Sequence, residues 1–174
     1  MAKTYPAIGP FTAGDILTAA TMTDVQTNLT NQRVPPMVKC VRSGDDSGYT
    51  AEKTVPWNGT DEYDTDGMHD PASNNERITF NTAGVYVVTF AIRMSHTGSP
   101  SFLDALIRLN GSVNIGEDYR TTTTSAYAAV LSITLNASVS DYVEARCQAS
   151  GAASALFLDL SNAYFSATWL GQVS

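Results

Sequence analysis

The run from Gly84 to Met94, GVYVVTFAIRM, alternates without a break. Tyr86, Val88, Phe90, Ile92 and Met94 fall on one side of an extended chain, and Val85, Val87, Thr89, Ala91 and Arg93 on the other. An amphipathic helix would repeat its apolar residues every three or four positions, so this spacing excludes one. A strand with one wholly apolar and one mixed face belongs in the wall of a β-sandwich or barrel. Asn81-Thr82-Ala83-Gly84 supplies the turn into it.

The same alternation recurs along the chain. Met37–Arg42 puts Val38 and Cys40 on one face, and Met37, Lys39 and Val41 on the other. Phe102–Asn110 puts Leu103, Ala105, Ile107 and Leu109 inward and Asp104 and Arg108 outward. Asn110-Gly111 then predicts a tight hairpin, with Ser112–Tyr119 pairing back. Ala126–Leu135 aligns Tyr127, Ala129, Leu131, Ile133 and Leu135; Val143, Ala145 and Cys147 point inward in the next strand, and Ala163–Gly171 is the last. Shorter strand candidates are Tyr49–Thr54, Val55–Trp57, Arg77–Phe80 and Leu156–Leu160, with turns at 43–48, 96–100, 120–125, 136–140 and 151–154. Trp57 is expected in the core or between subunits. About eight to ten strands at this spacing predict an all-β, two-sheet antiparallel sandwich.

Residues 1–36 differ from the rest. Pro6, Gly9, Pro10, Gly14 and Pro35-Pro36 punctuate them, and one helix is predicted over Met22–Asn31, capped by Thr21. Met22, Val25 and Leu29 form its narrow apolar stripe. So short a helix is not stable alone and needs a surface, either its own domain or another protein. The expected division is an arm at 1–36 and a β-domain at 37–174.

Two stretches carry a resemblance. Phe80, Gly84, Tyr86 and Phe90, in the spacing F-x-x-x-G-x-Y-x-x-x-F, resemble the central motif of the jelly-roll heads of the complement q subcomponent and tumour necrosis factor superfamily. Tyr63–Asp70 resembles the segment that bacteriophage members place before that motif. The arm, FTAGDILTAATMTDVQTNL, is similar to the N-termini of small virion proteins of tailed phages. The resemblance implies a jelly roll over roughly 37–172, a homotrimer and a place on a phage particle beside other capsid or tail proteins. Its exposed loops would be able to meet a host-surface glycan or protein. Ser140-Asp141-Tyr142-Val143 lacks the glycine of the family's Gly-Asp-x-Val, and Ala167 and Thr168 replace a glycine and an aromatic residue in its closing strand.

Composition narrows the partners. Net charge is −7 and the pI about 4.6, so phosphates would repel the chain and nucleic acid is not expected. No apolar run is long enough to enter a membrane. The first residues lack the apolar centre of a signal peptide, which predicts synthesis in a cytoplasm; residence in the virion is what the resemblance implies. Cys40 and Cys147 are expected as two buried thiols, one bridge being the alternative.

Catalysis is not expected. His69 and His96 fall in predicted loops, and no nucleophile, phosphate-loop or zinc-protease motif is present. Asp61, Glu62, Asp64, Asp66 and Asp70 cluster, but the pattern lacks the later glutamate of a calcium loop, so no metal or cofactor is expected. The candidate sites are surfaces. Val85, Val87 and Ala91, with Ala126, Ala128 and Val130, are apolar or small on faces opposite the core. Left open, such faces would be unusual on a monomer, which marks them as an oligomer interface. Met22, Val25 and Leu29 are the expected anchor.

Overall fold

The computed structural model describes residues 6–10, 12, 15–16, 18–121 and 126–172, with backbone alone over 97–99 and 150–162. Helix α1 spans Ala19–Arg33, and strands β1 to β9 span Met37–Val41, Asp46–Ser47, Lys53–Thr54, Tyr63–Asp64, Arg77–Thr79, Gly84–Leu109, Val113–Arg120, Ala126–Ala137 and Tyr142–Gly171. All the pairings are antiparallel.

Two long strands carry the architecture. β6 and β9 run side by side from Val85 opposite Gly171 to Leu109 opposite Val143. Their halves belong to different layers. In the first, β4, β1, the C-terminal half of β9, the N-terminal half of β6 and β8 lie in that order. In the second, β3 and β5 border the start of β9, which pairs with the end of β6 and then β7. The result is the expected two-sheet jelly-roll sandwich.

The inward faces follow the alternation. Tyr86, Val88, Phe90 and Met94 meet Val38, Cys40, Phe165 and Ala167 within the first layer, and Leu103, Ala105, Ile107, Val143, Ala145 and Cys147 come from the second, all buried. Trp57 sits at the centre, stacked on Phe165 at 5.7 Å between centroids and edge-on to Phe90 at 6.0 Å. Its place is the core of its own chain. Cys40 and Cys147 are free buried thiols.

Several boundaries move. The helix starts three residues earlier than expected, because Thr18 is the cap: its hydroxyl accepts from the Thr21 N–H at 3.1 Å, and Ala19 and Ala20 favour the helix that follows. The expected turns at 96–100 and 151–154 are not turns. The backbone stays paired, Thr97 to Ala155 and Pro100 to Gly151, with register shifts that absorb the glycines and the proline. His96 therefore lies in a strand and is buried. Tyr49, Val55 and Trp57 are buried but lie outside the ladders, where Pro56 has no N–H to give. Asp104, expected outward into water, is only 7 % exposed.

The F-x-x-x-G-x-Y spacing has a steric cause. The Phe80 and Tyr86 rings pack at 4.5 Å, and the Tyr86 hydroxyl donates to the Thr82 carbonyl at 2.6 Å, which ties down the turn between them. Gly84 holds φ at +144°, and a Cβ there would stand 2.3 Å from Trp169 Nε1 and 2.5 Å from the Gly171 carbonyl oxygen. The end of β9 can close on β6 only over a residue without a side chain.

Gly84→Ala should therefore lower stability by about 2–4 kcal/mol, combining backbone strain with overpacking. Gly44→Ala, where a Cβ meets nothing within 4 Å, should stay within about 0.5 kcal/mol. Urea unfolding of the two variants checks the contrast.

Candidate functional site

The outward faces of the two layers differ in chemistry. On the first, the register places Val85 opposite Asn136, Val87 opposite Thr134, Thr89 opposite Ser132, Ala91 opposite Val130, Arg93 opposite Ala128 and Ser95 opposite Ala126. Directly opposite residues of an antiparallel pair share a face, so the six expected interface residues form one patch. Ser166 and Thr168 of β9 and Met37 and Val41 of β1 continue it. Ala126, Ala128 and Val130 are exposed, Val130 to 67 %; Val85 and Val87 are half-buried. Ala91 is not open: between Val130 and Tyr164 its methyl is already buried within the chain. Lys39 and Arg93 are the charged side chains of this face among the described residues, and Lys39 is neutralised by Glu62 at 2.9 Å.

The second layer presents ions. Glu52 takes both Arg108 and Arg146 at 2.8 Å, and Arg146 reaches Glu144 at 3.1 Å. Asp104 lies beside this network with one carboxylate oxygen buried and without a hydrogen-bond partner among the described residues. Burial, with Glu117 and Glu52 close by, pushes its carboxyl up to about 6.

The arm lies beside the head. α1 buries no residue; Met22 and Leu29 are 51 % and 56 % exposed and Val25 is half-buried, so the expected stripe is not spent on the chain's own core. Asn28 donates to the Pro6 carbonyl at 2.9 Å, and a hollow of about 510 Å³ separates Pro6, Asn28 and Gln32 from Trp169–Gln172. Among the described residues, the arm leaves Ala126, Ala128 and Val130 open. No helix among the described residues is long and apolar enough to cross a membrane.

The acidic loop is used internally. Asp64 accepts from the backbone of Asp66 and His69, Asp66 from the Thr82 hydroxyl, Asp70 from Ala72, and Glu62 from Lys39. Each of these carboxylates holds a donor within the chain. Asp61 is different. It faces His69 Nδ1 at 2.9 and 3.0 Å, and a ring nitrogen of His69, a carboxylate oxygen of Asp61 and Cys40 Sγ lie within 4.8 Å of one another. Sequence reading missed this group because its members come from a strand and two points of a loop; the register of β1 against β4 brings them together.

No family model matches the sequence, and no curated protein does. Solved structures are similar in fold. Murine APRIL at pH 5.0 superposes with a TM-score of 0.59 at 12 % identity, over 78 % of this chain and 98 % of that one. The globular domain of zebrafish complement 1qA protein gives 0.57 at 13 % identity, over 79 % and 99 %. The fold is thus the jelly roll that the Phe80–Phe90 motif resembles. Neither comparison points to a phage.

Asp104 sets a pH test. Its folded-state value lies above the ordinary carboxylate range, so ionising it costs the folded state. Below about 3 the group is protonated in both states and contributes nothing; the cost grows as pH rises through the unfolded value and is complete above about 6. Asp104→Asn should stabilise the chain by about 1–3 kcal/mol at pH 8 and leave it nearly unchanged at pH 3. Denaturation at the two pH values measures this; an equal effect at both would mean that charge is not the cause.

Proposed function

We propose that this chain is a non-enzymatic head that assembles as a homotrimer through the outer face of the β8–β6–β9–β1 layer, with the arm at 1–36 fixing it to a larger particle. The carrying observation is the contrast between the two outer faces. One is small, apolar or hydroxyl-bearing and open at Ala126, Ala128 and Val130; the other is laced with arginine–glutamate pairs. On the charged face the arginines and glutamates already pair with one another. Burying the first face removes apolar surface at about 25 cal/mol per Å² and, among the described residues, brings only the charges of Lys39, already paired with Glu62, and Arg93 out of water. Closed rotational symmetry keeps such an assembly finite, and the resemblance to trimeric jelly-roll heads gives the number three.

The particle is a tailed-phage virion, as a capsid-decorating or minor tail protein made in the host cytoplasm. The arm's similarity to phage virion N-termini supports this reading, as does a helix whose Met22 and Leu29 remain exposed. A short helix of that kind is ordered by the surface it docks on.

Val130→Asp should convert the trimer to monomer in light scattering at micromolar concentration, while monomer stability moves by no more than about 0.5 kcal/mol, since the site is open in the single chain. A wild-type monomer, or a variant that stays trimeric, would remove the interface. Deleting residues 1–34 should leave a folded trimeric head that no longer joins particles. A truncated chain that cannot fold would place the arm in the core instead.

A further inference from the structure

The buried group of Cys40, Asp61 and His69 has a feature that packing alone does not explain. His69 is held between two acceptors. Its Nδ1 faces the Asp61 carboxylate at 2.9 Å, and its Nε2 faces the Asn75 carbonyl at 3.2 Å. In either neutral tautomer one ring nitrogen turns a lone pair toward an oxygen. A second ring proton resolves the clash, and so does a metal ion on the Asp61 side. With Nε2–H given to the Asn75 carbonyl, the Nδ1 lone pair faces the Asp61 carboxylate, in the group that also holds Cys40. A backbone carbonyl on the far nitrogen is the arrangement that orients metal-bound histidines. The His69 side chain is fully buried, that of Asp61 is 12 % exposed, and Cys40 is buried.

We propose that Cys40, Asp61 and His69 form a binding site for a borderline transition-metal ion of the zinc class. Sulfur, nitrogen and one carboxylate oxygen suit zinc or cobalt better than calcium or magnesium, which take oxygen alone. Three protein ligands leave a fourth position for water. Around a tetrahedral ion the ligand atoms stand roughly 3.3–3.8 Å apart, so His69 Nδ1 and Asp61, now 2.9 Å apart, open slightly, and Cys40 Sγ, within 4.8 Å of both, is in reach of the same ion. Binding forms metal–sulfur, metal–nitrogen and metal–oxygen bonds, and the thiol proton leaves to solvent. Burial, together with Asp61 and Asp64, pushes the Cys40 thiol up, so the ion has to displace a firmly held proton. Once bound, it ties β1 to the loop that leads into β5.

The test uses the full chain, stripped with a chelator, dialysed and titrated with cobalt(II). One equivalent should produce a thiolate-to-cobalt charge-transfer band in the near ultraviolet and the visible bands of a tetrahedral ion. Zinc should raise the melting temperature by roughly 5–10 °C at a hundredfold excess over its dissociation constant. Cys40→Ser should abolish the charge-transfer band, and Cys147→Ser should leave it. Where Cys40→Ser does not fold, X-ray absorption of the zinc-loaded wild type decides: one sulfur at about 2.3 Å is expected. No cobalt band, a band that survives Cys40→Ser, or a zinc shell without sulfur would overturn the proposal.

Discussion

Every layer of this molecule hangs on the pairing of β6 with β9. These strands supply the centre of both sheets, and β1, β3, β5, β7 and β8 all attach to one or the other. Because each strand passes from one layer to the next, the ladder also fixes how the layers face each other. Phe90 and Phe165 sit opposite each other in that ladder, and Trp57 closes over both. Three aromatic rings at the meeting of three chain segments bury more apolar surface than any aliphatic set of equal residue count would. The close approach at Gly84 protects the same pairing at its end.

The ladder also decides the two outer surfaces. Period-two alternation means that a strand committed to the core with one face must show the other. In the second layer that other face carries Glu52, Arg108, Glu144 and Arg146, which pair with one another and are largely covered, Glu144 being buried. In the first layer it carries mainly valine, alanine, threonine and serine along β6, β8 and β9, with Arg93 as the one charged side chain of those strands among the described residues. A surface of hydroxyls and methyls can pack against a copy of itself with little electrostatic loss, whereas an arginine–glutamate lattice cannot without desolvating each ion. The proposed assembly follows from this asymmetry.

Much of the fold was legible in the sequence, because alternation reports burial directly: Tyr86, Val88 and Phe90 inward, Ala129 and Leu131 inward, Val143, Ala145 and Cys147 inward. Asn110-Gly111 was legible because its left-handed angles, 49° and 68°, demand those residue types. The breaks at 96–100 and 151–154 were misread, since glycine and proline signal turns locally but a partner strand can hold them extended. Asp104 was misplaced because alternation assigns a side but not the neighbours that cover that side. The group of Cys40, Asp61 and His69 was hidden for a related reason: no local spacing encodes it, and only the pairing of β1 with β4 assembles it.

The claim that the first layer's outer face is covered by other copies, while the second layer's side of the sandwich stays in water, is open to a direct chemical measurement. Cys40 and Cys147 are buried and free, so they should leave a quiet background for thiol labelling under native conditions. A cysteine placed at Val130, 67 % exposed on the single chain, and one at Val113, 54 % exposed at the start of β7, would start from similar accessibility. The account predicts that the Val113→Cys thiol is modified at the rate of a free thiol and the Val130→Cys thiol at least about tenfold more slowly, a ratio equivalent to about 1.4 kcal/mol of protection. Equal labelling at the two positions would contradict it.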